Sequence, residues 1–249
     1  MLVLDELKKI GRSPGRLREV FRLRRWRQFF SILGFNSRAG NRWKTAPGAP
    51  ALKQREYSSY EQYVEHQQSK FKYLDLADYD VNYRRLLKER LQGLPIVKHG
   101  ANALCLGARQ GTEVKAFLDL GCFAIGLDLN PGKENPFVLQ GDFHHTQFPS
   151  QSVDIIFTNS FDHAFDPQKL IAEIKRLLKP DGALIIEAIH GEAESDAPDN
   201  YASFWWQRVD DLVALLASND FNLVRRIGFN NPWPGEQICF ELQTSEAKS

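Results

Sequence analysis

From Leu94 to the C-terminus, short continuous apolar runs alternate with stretches in which apolar residues recur every three or four positions. The runs Ala101–Leu106, Cys122–Leu129, Phe137–Gln140, Val153–Asn159 and Ala183–Ile189 predict strands, several of the fully buried type. The recurrences predict helices over Thr112–Leu120, Pro167–Leu178 and Trp206–Ser218. Gly121 reads as the C-terminal cap of the first helix. Pro167 opens the second, and Pro180, Asp181 and Gly182 stop it. Phe221–Gly228 and Gln237–Leu242 complete seven strands. Alternating strands and helices imply a mainly parallel sheet covered on both faces. The connection Phe229 to Glu236 is too short for a parallel crossover, so the last strand should run antiparallel. The expected fold class is thus α/β: a three-layer sandwich with a mainly parallel seven-stranded sheet, an antiparallel last strand and added N-terminal helices.

The first third of the chain has another character. Residues 14–34 read as a cationic amphipathic helix, with Leu23, Trp26, Phe30 and Leu33 in one stripe and Arg22, Arg24, Arg25 and Arg27 between them. Residues 36–56, with Gly40, Pro47, Gly48 and Pro50, look like a linker. Tyr57 to Leu91 reads as one or two helices. Three units follow: a basic arm with amphipathic helix and linker (1–56), a helical lid or connector (57–94) and the α/β domain (95–249).

Charge sharpens that division. The net charge is +1, yet residues 1–56 hold 14 Lys/Arg against 4 Asp/Glu. A basic arm on an acidic body suits an anionic partner such as a membrane surface, nucleic acid or acidic protein, or docks on its own body. No apolar run reaches the roughly 18 residues needed to span a bilayer. The expected location is the cytoplasm, with peripheral membrane contact through residues 14–34 one option. An Arg-rich, acid-poor start also matches an organelle transit segment. Cys105, Cys122 and Cys239 lie in apolar runs without close spacing, so buried thiols rather than a metal site or disulfide framework are expected.

Candidate chemistry gathers where such sheets bind ligands, outside the carboxyl ends of the strands. The first strand ends in Leu106-Gly107-Ala108-Arg109-Gln110-Gly111, a glycine turn that lets backbone N–H groups approach a ligand. Asp128, 21 residues after Gly107, closes the second strand just before Leu129 and can accept from a ribose diol. It could also simply begin a turn. Gly141-Asp142-Phe143 follows the third strand, with a carboxylate to accept from an amino group and a ring to contact a base.

Residues 95–243 resemble the class I S-adenosylmethionine-dependent methyltransferases, a Rossmann-like superfamily, in its small-molecule branch. The resemblance rests on the glycine turn, Ile125-Gly126-Leu127-Asp128, Gly141-Asp142, Phe148-Pro149-Ser150-Gln151-Ser152-Val153-Asp154 and Arg176-Leu177-Leu178-Lys179-Pro180-Asp181-Gly182. It implies S-adenosyl-L-methionine as cofactor and methyl transfer to a small-molecule or lipid-like acceptor. By position it implies that Gly107 and Gly111, with Ala108 and Arg109 between them, line the methionine end. Asp128 and Leu129 would hold the ribose, and Gly141, Asp142 and Phe143 would receive the adenine. Asn159 would face the reacting methyl. Two departures stand out: Cys105 occupies the place of an acid, and Arg109 that of a second glycine. Leu118-Asp119-Leu120-Gly121-Cys122 mimics the glycine motif, but leaves too little chain before Asp128 for a turn, helix and strand.

Methyl transfer chiefly requires a positioned acceptor and excluded water. His163 is the candidate base, with Asp162 beside it and Asn159 before it; His144, His145, His190 and Glu187 are weaker candidates. Tyr57, Tyr60, Tyr63, Phe71 and Tyr73 could form an aromatic lid over the acceptor, and Trp205, Trp206 and Trp233 could line its pocket from the far side. The competing reading is a non-catalytic methyltransferase-like module recruited through its basic arm. A nicotinamide enzyme is disfavoured because the middle and third glycines of the dinucleotide fingerprint are missing. Nucleic-acid methylation is disfavoured by the acidic body and by Thr158-Asn159-Ser160-Phe161 in place of a Pro-Pro-aromatic segment.

Overall fold

The computed structural model describes residues 42–46, 49–69 and 77–243. The predicted amphipathic helix at 14–34 lies outside them, as do Phe71 and Tyr73. In chain order the elements are β1 (Trp43–Ala46), β2 (Ala49–Arg55), α1 (Tyr60–Ser69), α2 (Ala77–Leu91), β3 (Asn102–Leu106) and α3 (Thr112–Leu118). Then come β4 (Phe123–Asp128), β5 (Val138–Gln140), β6 (Val153–Thr158), α4 (Pro167–Leu177) and β7 (Leu178–Ile189). The last are β8 (Phe204–Trp206), α5 (Val209–Ala217), β9 (Phe221–Phe229) and β10 (Gly235–Leu242).

Seven strands form one sheet in the order β5-β4-β3-β6-β7-β10-β9. The pairs from β5 to β7 are parallel. β10 slots antiparallel between β7 and β9, as the short final connection requires. Alternation along the strands divides the core between two faces. Leu104, Leu106, Ile156, Leu184, Ile186 and Phe240 point to one face, where α4 and α5 press Leu170, Ile174, Leu212 and Leu216 onto them. Ala103, Cys105, Ile155, Phe157, Ile185 and Cys239 point to the other, under Leu87 and Leu91 of α2 and Val114 and Phe117 of α3. This is the three-layer arrangement that the runs predicted.

α4 starts as expected: Asp166 caps it by accepting from Lys169 N at 3.0 Å, with Pro167 at the first helical position. Gly121 has φ 78° and donates its N–H to Leu118 O at 3.0 Å, which ends α3 and removes the decoy motif from the site.

Two expectations need correction. The linker over 36–56 contains an antiparallel hairpin, β1 and β2, joined by β8 in a second, three-stranded sheet. The helix expected from Trp206 begins instead at Val209. Trp206 belongs to β8, where it pairs with Leu52, and its ring stacks on Trp205 at 5.3 Å. A partner strand some 150 residues distant in sequence overrides the local helical pattern. Among the described residues no helix is long and apolar enough to cross a membrane.

Candidate active site

Strand order reverses at β3, whose chain neighbour β4 lies on one side and β6 on the other. The crevice at the carboxyl ends of β3 and β6 is where a ligand fits such a sheet. A cavity of about 230 Å³ opens there, several times the ~30 Å³ share of one liquid water, so it suits an organic ligand.

The floor is the β3–α3 turn. Gly107 has φ 71°, and a Cβ there would lie 2.7 Å from the Ser160 Cβ, so the position excludes a side chain. Arg109 holds φ 44°, the left-handed region, without glycine's freedom. Its N–H donates to Asp128 Oδ2 at 2.9 Å, and Asn130 N–H donates to Asp128 Oδ1 at 2.7 Å. Both oxygens are thereby aimed at the rim, each with a second lone pair in hand. Leu129 and Phe143 continue that wall. Ala108, Gly111 and Gly141 lie outside the lining: Ala108 is buried against Gly126, Gly111 precedes α3, and Gly141 abuts Leu127.

Asp142 is also absent from the lining. Its Oδ2 accepts from the Tyr60 hydroxyl at 2.6 Å, and its Oδ1 from His144 N at 2.9 Å and His144 Nδ1 at 2.7 Å. Burial raises this carboxyl, but the His144 and Tyr60 hydrogen bonds outweigh it and bring the pKa to about 2. His144 Nε2 in turn accepts from the Phe165 and Asp166 N–H groups, so this ring is a structural brace rather than a base. The aromatic helix α1 does cover the cavity, but over the Asp128 and Phe143 end rather than the acceptor end. Tyr63 and Gln67 line it, Tyr60 grips Asp142, and Asn130 Nδ2 donates to Gln68 O at 3.4 Å. Tyr57 is taken up by His66 and Ser203.

After β6 the chain places Asn159, Asp162 and His163 on the opposite wall. Asn159 Nδ2 donates to Glu113 Oε1 at 2.9 Å and to the Tyr83 hydroxyl at 3.0 Å. Tyr83 donates to Glu187 Oε2 at 3.0 Å; Glu187 also accepts from Arg90 Nε at 2.6 Å and Gln237 Nε2 at 3.0 Å. Glu187 therefore sits in a satisfied buried ion pair, which argues against its acting as a base. His163 Nδ1 lies 3.0 Å from Tyr201 O, an acceptor only, so Nδ1 is the donor in that hydrogen bond. Asp162 Oδ2 is 3.9 Å from that Nε2, too far for a hydrogen bond. The Tyr201 carbonyl, not Asp162, orients this imidazole.

Asp199 carries no signal in the sequence pattern. It lines the cavity, with a ligand atom within 4.8 Å of those of Asp162 and His163, and Tyr201 and Ala202 N–H pin its Oδ1 at 2.7 Å. Glu113 was missed as well. Its charge could be seen in the sequence, but its burial follows only from the packing of α2 and α3. Ile186, Ala188, Ile189, Trp206 and Trp233 give this end an apolar lining; Trp205 is buried outside it.

Residues 104–186 match the family model described as "Methyltransferase domain". Among solved structures, Burkholderia thailandensis 1,6-didemethyltoxoflavin-N1-methyltransferase, with bound 1,6-didemethyltoxoflavin and S-adenosylhomocysteine, is similar at TM-score 0.60 and 17% identity, over 78% of this chain and 96% of that one. An Aquifex aeolicus SAM-dependent methyltransferase is similar at 0.54 and 18%, over 70% and 97%. A Haloferax volcanii methyltransferase in complex with the Trm112 activator is similar at 0.55 and 18%, over 66% and 92%. No curated protein matches the chain. Residues 104–186 thus match a methyltransferase domain, and the chain shares the fold of these S-adenosylmethionine-dependent methyltransferases, sheet order included. The cofactor that the domain match and these neighbours indicate, S-adenosylmethionine, fits the residues present: a bare Gly107 floor, a rim carboxylate at Asp128 for a diol, a Phe143 wall, and charges of both signs at Arg109 and Glu113.

Proposed function

We propose that this chain transfers a methyl group from S-adenosylmethionine to a small, largely apolar acceptor carrying an acidic O–H or N–H. The observation that carries this reading is one continuous cavity joining Asp128 and Gly107 to the His163 imidazole and the Trp206 and Trp233 rings. S-adenosylmethionine, when bound, supplies a methyl group already activated by its sulfonium centre. The protein's share is position, dryness and one proton. Asp128 anchors the ribose, and α1 covers that end against water. Trp206, Trp233 and Ile186 hold the acceptor's apolar body. His163 Nε2 takes the acceptor's proton, with the tautomer set by the Tyr201 carbonyl. Asp162 and Asp199 place carboxylates beside that imidazole.

Titration calorimetry with S-adenosylmethionine, S-adenosylhomocysteine and NADH tests the cofactor. Micromolar binding of the first two but not the third is expected. Binding of NADH alone would sink the proposal. With the cofactor established, incubation with methyl-labelled cofactor and a panel of phenols and quinones tests transfer. Tight cofactor binding without transfer to any panel member or to buffer would favour a non-catalytic module, the reading that Cys105 and Arg109 bring forward.

A further inference from the structure

Glu113 is a charge in a place that charges avoid. The residue is 5% exposed, yet it lines the cavity. Asn159 Nδ2 donates to it at 2.9 Å, as does its own backbone N–H. The Arg109 guanidinium acts on it from the β3–α3 turn, but the two form no ion pair. From α2, Asp80 opposes it with a like charge, and one of the Asp80 carboxylate oxygens is buried without a partner. Tyr83 shares its Asn159 donor. Cys105 is buried close by. Burial dominates over these influences and pushes the carboxyl up to about 7. A carboxylate so placed is unfavourable until a cation joins it.

Arg109 raises the mirror question. It occupies a left-handed position where glycine is at ease, it lines the same cavity, and its charge is felt at Glu113. The two departures from the family pattern therefore meet. The acid absent at Cys105 is balanced by Glu113 just beyond the turn, and the absent glycine is a cation.

We propose that Glu113 and Arg109 together hold the amino-acid end of S-adenosylmethionine, Glu113 binding the ammonium and Arg109 the carboxylate. This rests on the cofactor reading and adds to it: the charge pair matches a zwitterion, one sign for each group. It also makes cofactor affinity depend on pH. The ammonium binds ionised Glu113, so affinity falls as pH drops below about 7 and Glu113 takes up a proton.

The test is titration calorimetry on the full chain with two ligands, S-adenosylhomocysteine and 5′-methylthioadenosine, which lacks the amino-acid end. Glu113→Gln should weaken the first by ~10-fold or more, the usual loss for a hydrogen bond to a charged group, and leave the second unchanged. Arg109→Met should do the same, but should bind the decarboxylated thioether as the wild type does. Between pH 7 and 6 the wild type should lose affinity for S-adenosylhomocysteine, whereas Glu113→Gln should not. Unchanged S-adenosylhomocysteine binding, or an equal loss of both ligands, in Glu113→Gln overturns the proposal while leaving the cofactor reading intact. A wild type that binds neither ligand overturns both.

Discussion

Without ligand, Glu113→Gln should stabilise the protein at alkaline pH, and the structure gives the size of the effect. The carboxyl's folded pKa is raised, chiefly by burial, from an ordinary value of 4.5 to about 7. A raised acid adds stability that is fully present below the unfolded pKa and is lost as pH rises towards the folded one. The window therefore runs from about 4.5 to about 7. At ~1.4 kcal/mol per pH unit, it spans about 3 kcal/mol. Glutamine keeps the shape and one acceptor for Asn159 but does not titrate. The stability difference between variant and wild type should thus move by about 3 kcal/mol in the variant's favour between pH 4.5 and pH 8. Urea unfolding of both proteins at the two pH values measures it. The carboxylates around Glu173 and Asp142 titrate in both proteins and cancel. A difference that stays constant within about 0.5 kcal/mol would refute the reasoning, since burial of an ionised carboxylate could not then be what Glu113 costs.

Arg90→Ala should cost about 3–5 kcal/mol in urea unfolding, because it strands Glu187, whose side chain is 0% exposed, without its cation. The double variant Arg90→Met with Glu187→Gln should recover most of that loss, and a loss under about 1 kcal/mol for the single variant would deny the pair its role. Asp128→Ala should abolish calorimetric binding of S-adenosylhomocysteine while the fold persists by circular dichroism; near-normal affinity would remove the ribose assignment. His163→Ala should cut turnover by ~100-fold or more with an O–H acceptor and leave cofactor affinity alone. Unchanged turnover would show that the acceptor reacts without a base.

The sheet was legible because its signals are local. Val153–Thr158 and the apolar run beginning at Ala183 are too apolar for a surface, and Pro167 and Gly121 mark helix ends through their own backbone chemistry. Even the antiparallel final strand followed from the length of one loop. The hairpin of β1 and β2 was not legible, because β2 also needs Phe204–Trp206 and nothing near residue 50 announces that distant partner. At the site, the motif segments supply Gly107, Arg109, Asp128, Leu129, Phe143, Asn159, Asp162 and His163, all of which line the cavity. Asp142 depends on contacts that its motif does not reveal. Its spacing is that of an adenine acceptor, but Tyr60, from outside the motif-bearing region, holds one of its oxygens. Asp199 lies in a loop without periodicity, and only the turn at Tyr201 brings it beside His163.

The placement of β10 has a consequence for synthesis. The strand is flanked on both sides, by β7 and β9, and its Gln237 completes the ring of donors around Glu187. A nascent chain still held by the ribosome at residue 235 would carry every residue that lines the cavity. Yet β7 would present an open hydrogen-bonding edge, and Glu187 would lack one of its donors. The ring of donors around Glu187 therefore closes only once β10 has joined the sheet. Until then the exposed β7 edge is the point where an unfinished chain could be captured by another.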